Sequence, residues 1–323
     1  ARPLRGCSAM RVAVLHLAVL AGLFAVQFVA SDYAVLSLTR IMVFAIYAIG
    51  YNLLYGYAGL LSLGHAMFFA TGLYVVAIGT TEAGLAAPQA FAAAIVIGCV
   101  VSFVMGLVIL RAGGVAFMIV TLMFSQAAFL TVLYFGDYTR GDEGIVIADA
   151  IRRFTVLGID IDLTNAVLRY NLALALMAAA LVLVLALVRS RFGHVLIAIR
   201  ENEGRTAMLG YDVARYKLAA FTVSGTLAAL SGAAYALLFA YAGATLASIQ
   251  YSIHPLLWTL LGGAATSLGP VLGTGLMFEL VDLSSTFTNA NLLMVGAVLI
   301  ALVLFFPKGI LGSIRQHLVP WLP

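Results

Sequence analysis

Between Arg189 and Lys217 the chain reads RSRFGHVLIAIRENEGRTAMLGYDVARYK, a charged stretch with a small apolar patch inside it. Asn202 is the type of residue that caps a helix, Glu203 suits the positive first turn, and Gly210 suits a helix end. A short helix so bounded would present Ala207, Met208 and Leu209 among charges. Such a helix fits into a groove on a partner protein. The plainer reading is a basic loop that only orients its neighbouring segments.

A second group of polar residues lies within apolar surroundings. Asn52, Ser62 and His65 flank the glycine-dense run Gly56-Tyr57-Ala58-Gly59-Leu60-Leu61-Ser62-Leu63-Gly64, and Gln126 follows Thr121 and Ser125. They serve either as interhelical hydrogen bonds, worth about 0.6–2 kcal/mol each, or as the lining of a wet translocation path beside a broken helix. Glu279 and Asp282, three apart, share one helical face and suit the border of an outer vestibule or an interface better than a proton relay. Ser62-Leu63-Gly64 is echoed by Ser267-Leu268-Gly269, a faint hint of internal repetition. Gly269 and Gly273 are spaced to let helices approach closely.

Other chemistry is missing from the sequence. No Gly-x-x-x-x-Gly-Lys-Ser/Thr loop exists, and the two lysines, Lys217 and Lys308, fit no such pattern. His-Glu-x-x-His is absent, the five histidines lack ligand spacing, and no pair of Asp-rich motifs occurs, so neither a metal site nor catalytic residues are expected. Cys7 and Cys99 are far apart and suggest no structural disulfide.

What must hold these residues is a membrane bundle. Of 323 residues, 64% are hydrophobic and 9% charged, against roughly a quarter charged in soluble domains. Soluble enzyme, disulfide module and disordered protein are excluded. Apolar segments fall near 12–30, 35–56, 60–80, 87–110, 113–135, 166–188, 218–241, 252–265, 267–284 and 291–306. The third and eighth, the latter containing Pro255, suit broken or partial helices. The basic residues before 12–30 resemble a signal peptide, but the length of that run suits a retained helix. Ten crossings place both termini together, on a side that collects twelve of the 17 Lys/Arg and three acids. The other side holds four Lys/Arg and eight acids. By the positive-inside rule both termini are cytoplasmic. Residues 136–165 then form an extracytoplasmic loop, suited to a small lid or hairpin, and 189–217 a cytoplasmic one. The expectation is an all-α polytopic membrane protein with the whole chain, 1–323, as one transmembrane domain.

Several blocks also resemble one family in its own order. Ala198-Ile199-Arg200-Glu201-Asn202-Glu203 with Ala207 and Gly210 is similar to the ATPase-coupling loop of ABC importer permeases of the LivM-like, branched-chain amino acid group. Tyr51–Ala66, Thr139-Arg140-Gly141-Asp142-Glu143-Gly144, Leu261-Gly262-Gly263 with Gly269-Pro270, and Phe306-Pro307-Lys308-Gly309 match further blocks. Arg140, where the family more often has Gly, and Ala264–Thr266 depart from the pattern. The resemblance implies a permease subunit with no cofactor of its own, in a bacterial inner membrane. It implies a homologous second permease, two cytoplasmic ATPases that bind ATP and magnesium, and an extracytoplasmic binding protein. Lipid surrounds such a chain, and nucleic acid has no part. Substrates of the family are branched-chain amino acids, with relatives taking urea, amides or organic acids. A self-sufficient ion-coupled carrier using Glu279, Asp282 or His65 is the competing reading.

Overall fold

The computed structural model describes residues 4–156, 159–287 and 309–317, with 293, 296, 297, 300 and 304. The expected segment 291–306 and the block at 306–308 fall largely or wholly outside the described residues. Helix α1 is Leu4–Val26, α2 Asp32–Asn52, α3 Ala66–Thr81, α4 Ala87–Ile109 and α5 Val115–Tyr134. After a helical turn, α6 (Gly136–Thr139), come α7 (Ala166–Arg189), α8 (Arg191–Glu201), α9 (Glu203–Met208) and α10 (Val213–Phe239). Then follow α11 (Ile249–Gly262) and α12 (Gly269–Phe287). Among the described residues five helices are long and apolar enough to cross a membrane: α2 with its π-helical extension to Tyr57, α4, α5, α7 and α10. The chain is a multi-pass membrane protein.

Side chains explain where these helices start and bend. Ser31 caps α2 and Asn165 caps α7, each side chain accepting from a first-turn N–H. Pro255 lies inside α11 and has no N–H to give the carbonyl of Tyr251, four residues back. The Tyr47 hydroxyl of α2 donates to that carbonyl at 3.0 Å instead. At 14 residues α11 rises only about 21 Å, short of the ~30 Å apolar core of a bilayer. Helix α11 by itself is therefore too short to cross it. Helix α10 lies centrally, packed on α2, α3 and α4, and its Gly225, Ala228, Ala229, Gly232 and Ala233 are buried there. Small residues of this kind permit close helix approach where lipid offers no hydrophobic drive to associate.

Three expectations need correction. The third segment is not helical from residue 60: α2 runs on through the π turn Leu53–Tyr57, the backbone leaves helix until 65, and α3 begins at Ala66. Gly59 takes φ +73°, and partners distant in sequence satisfy the freed backbone groups, as described below. The seventh segment begins at Val213 rather than at 218, and the connection before it carries α8 besides the expected short helix α9. Ser190, with ψ 174°, separates α7 from the amphipathic α8, whose Val195 and Ile199 pack with Val213 of α10. The chain is also not purely helical. Strands β1 (Ile145–Val146) and β4 (Tyr241–Ala242) pair antiparallel, as do β2 (Arg153–Val156) and β3 (Ile159–Asp162). The expected hairpin is β2–β3, cross-linked by Arg153–Asp162 at 3.3 Å and Thr155–Asp160 at 2.6 Å. β-branched residues in short runs beyond the helix ends favour such pairing.

Candidate functional site

Helix α9 and the break before α3 lie at the same end of the bundle. Asn202 takes an extended conformation, and its Oδ1 accepts the Arg205 N–H at 2.9 Å, capping α9. Gly210 ends the turn with φ +88°, where a Cβ would be strained. Thr206 is buried, whereas Ala207 is exposed, and so are Met208 (88%) and Leu209 (76%). The expected apolar tip among charges is present. Glu203 forms an ion pair with Lys217 at 2.5 Å, tying α9 to the first turn of α10. Stacking of Phe192 on Tyr216, centroids 5.6 Å apart, ties α8 to the same turn.

Arg200 connects this helical pair to the break. Its guanidinium donates to the carbonyl of Gly56 in the π turn. Its stem lies against Gly59, where an added Cβ would come within 2.9 Å of the Arg200 Cγ. A cavity of about 810 Å³ opens here, lined by Ala58–Leu61, the α4–α5 turn with Arg111, residues 199–203 and Lys217. Glu201 lines this cavity and is exposed.

The membrane-depth polar residues divide. Asn52, Ser62 and His65 are all buried. The Asn52 side chain accepts the Ala265 N–H and donates to the Thr266 carbonyl, both at 2.9 Å. It thereby pins the α11–α12 linker beside the first break. Of the two stretches that echo one another in sequence, the first ends one residue before α3 and the second runs into the first residue of α12, and His16 reaches Ser267 of the second at 2.9 Å. His65 lies 2.9 Å from the Ser62 hydroxyl and 2.8 Å from that of Ser224 on α10. Gln126 is half-buried on α5 and does not join them.

Partners that pattern reading could not assign complete the joint. Tyr51 donates to the Ser62 carbonyl at 2.8 Å, Thr121 accepts the Leu63 N–H at 3.0 Å, and Ser252 accepts the Ala66 N–H at 3.0 Å. Irregular backbone is tolerated at membrane depth only when so satisfied. Thr121 and Ser125 stood out in sequence as polar residues in an apolar run. Ser252 and Ser224 gave no such signal.

At the opposite end, Arg152 is buried and its guanidinium binds four oxygens. It donates to the carbonyls of Leu163, Leu237 and Leu238 at 2.7–3.0 Å and pairs with Asp149 at 2.9 Å. Arg169 also donates to Leu238, at 3.3 Å. Two arginines thus satisfy the C-terminal carbonyls of α10 and fasten the hairpin segment to it. Asp162 accepts from both the hydroxyl and the N–H of Thr164. Those bonds, with Arg153 beside it, hold its carboxyl below the usual carboxylate range despite some opposing desolvation. Among the described residues no three His, Cys, Asp or Glu gather as metal ligands.

A helix bundle with a break in its wall and a short, apolar-tipped helix projecting from one end is the architecture of a membrane transport subunit that docks a partner. Residues 33–306 match the family model described as branched-chain amino acid transport system / permease component, and the chain belongs to that family. It is accordingly the membrane-embedded permease subunit of an ABC importer. It is similar to the high-affinity branched-chain amino acid transport system permease protein LivM of Salmonella typhimurium, with 26% identity over 87% of this chain and 70% of the relative. The LivM of Escherichia coli is 27% identical over the same shares. No solved structure matches the chain significantly.

Proposed function

We propose that this chain forms half of the conduit of an ATP-driven importer for branched-chain or closely related amino acids in a bacterial inner membrane. The family and the relatives' printed function support the substrate class. In this reading chain 1–323 is one transmembrane domain of about ten segments with both termini cytoplasmic, as the lysine and arginine asymmetry argues. Residues 136–165 face the binding protein, and 189–217 face the ATPases.

One observation carries the proposal: α9 is capped by Asn202, ends at Gly210, exposes Ala207, Met208 and Leu209, and is joined through Arg200 to the broken wall of the bundle. Glu201 and Glu203 flank the cap. A partner ATPase gripping α9 would move it as a lever, with Arg200 passing displacement to Gly56 and Gly59. Asn52, Ser62 and His65 would hold the break in this state and, with Gln126, border the path when it opens. ATP and magnesium belong to two partner ATPases, and a homologous second permease completes the conduit.

The test is co-purification from native membranes followed by reconstitution. The expected result is recovery of a Walker-motif ATPase and a second permease, with leucine uptake that needs ATP. A Met208→Asp, Leu209→Asp double variant should keep the fold and lose the ATPase. Ion-gradient-driven leucine transport by the lone chain would refute the proposal and establish the carrier alternative.

A further inference from the structure

Helix α9 is too small to hold a partner by itself. It has six residues and spans about 9 Å, whereas a stable protein interface covers roughly 800 Å² and about 20–30 residues on each side. Whatever grips Ala207, Met208 and Leu209 must therefore cover adjoining surface too. The surface adjoining the start of α9 is concave. The cavity of about 810 Å³ begins at the α9 cap itself, with Asn202 and Glu203 in its wall.

Three separate parts of the chain line this cavity. Residues 58–61 come from the break, 199–203 from the α8–α9 elbow, and 110–115 with Phe117 and Met118 from the α4–α5 turn. The lever described above makes no use of that turn. It is exposed at Arg111, Gly113, Gly114 and Val115, the last at 69%. Leu60, Leu61, Leu110, Val115 and Met118 give the cavity an apolar wall.

The charges around it are unevenly committed. Lys217 is paired with Glu203, and Arg200 donates to Gly56. Among the described residues Arg111 has no hydrogen bond or ion pair. Gly114 brings no side chain to cap α5, so the first N–H groups of that helix are also open to an acceptor. The α4–α5 side is thus positive beside an apolar wall, while the lining acids, Glu201 and Glu203, stand on the α9 side. A segment that carries a carboxylate next to an apolar side chain complements such a surface.

We propose that the α4–α5 turn is a second docking element for the ATPase that grips α9. An apolar, acid-bearing segment of that subunit fills the cavity, its carboxylate on Arg111 and its apolar side chain against Leu60, Val115 and Met118. The proposal rests on the importer reading above. It gives the ATPase a direct hold on the broken wall at residues 58–61, alongside the hold through α9 and Arg200.

The test is photo-cross-linking in the assembled complex in native membranes. A benzophenone amino acid replaces Val115 in one version, Met208 in a second and Leu130 in a third. Leu130 is exposed on the same helix as Val115, about 22 Å further along it. Cross-links to the ATPase are expected from Met208 and Val115 and not from Leu130. Arg111→Glu should lower the ATPase retained on the purified permease at least fivefold, with the Tm and elution of the permease unchanged. Arg111→Lys should retain most of it.

A cross-link from Met208 but none from Val115 would overturn the second docking element. So would a Val115 label found on phospholipid or on the second permease, or undiminished ATPase retention in Arg111→Glu. Absence of an ATPase cross-link from Met208 and Val115 alike would instead sink the importer reading, and the proposal with it.

Discussion

Replacing Gly72 by Ala adds one methyl group where α3 meets α10. A Cβ there would lie 1.9 Å from the Ala229 carbonyl oxygen and 2.6 Å from its carbon. Backbone cannot swing aside as a side-chain tip can, so the helices must part by more than about an ångström to restore a normal contact. Separation by 0.5–1 Å already forfeits a quarter to a half of the dispersion attraction of the atoms concerned. The opposing face is equally tight: a Cβ on Gly232 of α10 would meet the Phe69 carbonyl oxygen at 2.0 Å. Overpacking of this kind costs about 1–3 kcal/mol and occasionally more. The upper end is expected here, because both contacts are with backbone and share one interface. Gly22 of α1 has nothing within 4 Å of its added Cβ, so Gly22→Ala should be neutral or slightly stabilising. Thermal unfolding in detergent, followed by size-exclusion of a fluorescent fusion, compares the two. A clear drop in Tm for Gly72→Ala and none for Gly22→Ala is the expected pattern. Equal midpoints for Gly72→Ala and wild type would refute the packing argument and the central position given to α10.

Arg152→Met should leave the Leu163 and Leu237 carbonyls without their donor, at about 1–3 kcal/mol each, while Leu238 keeps Arg169 and the exposed Asp149 loses only a partner; hydrogen exchange should rise in residues 145–163 and at the end of α10. Tyr47→Phe strands the Tyr251 carbonyl beside Pro255 and should cost about 1–3 kcal/mol, read as a lowered Tm, while Tyr134→Phe, exposed, should cost nothing measurable. The depressed carboxyl of Asp162 stabilises the hairpin above its unfolded pKa, and that contribution is lost as pH falls through its folded value. Proteolytic nicking between 153 and 165 should therefore increase on acidification below the carboxylate range, and in an Asp162→Asn variant the acid-induced rise attributable to this carboxyl should disappear.

Much of this protein is local physics and can be read along the chain. Apolar runs long enough for a bilayer mark α4, α5, α7 and α10 to within a few residues, because a helix in lipid must satisfy its own backbone. The cap at Asn202, the apolar tip at Met208 and the stop at Gly210 are equally local, since a cap joins residues only three apart. The hairpin at 153–162 follows from β-branched residues in short runs.

The broken wall is different. Glycines at 56, 59 and 64 allow the chain to leave helix near 58, but the Tyr51, Thr121 and Ser252 side chains and the Arg200 guanidinium decide that it does so. Those partners lie up to 190 residues away. The burial of Asn52, Ser62 and His65 was likewise open in sequence, where a packing residue and a path-lining one look alike. Separation of α8 from α7 turns on the single residue Ser190. The meeting of Arg40 with Phe239, and of Phe44 with Tyr235 and Tyr251, exists only once α2, α10 and α11 are packed. Periodicity and capping are set by neighbours in the chain, whereas a hydrogen bond or a charge at membrane depth takes its meaning from whichever helix lies alongside.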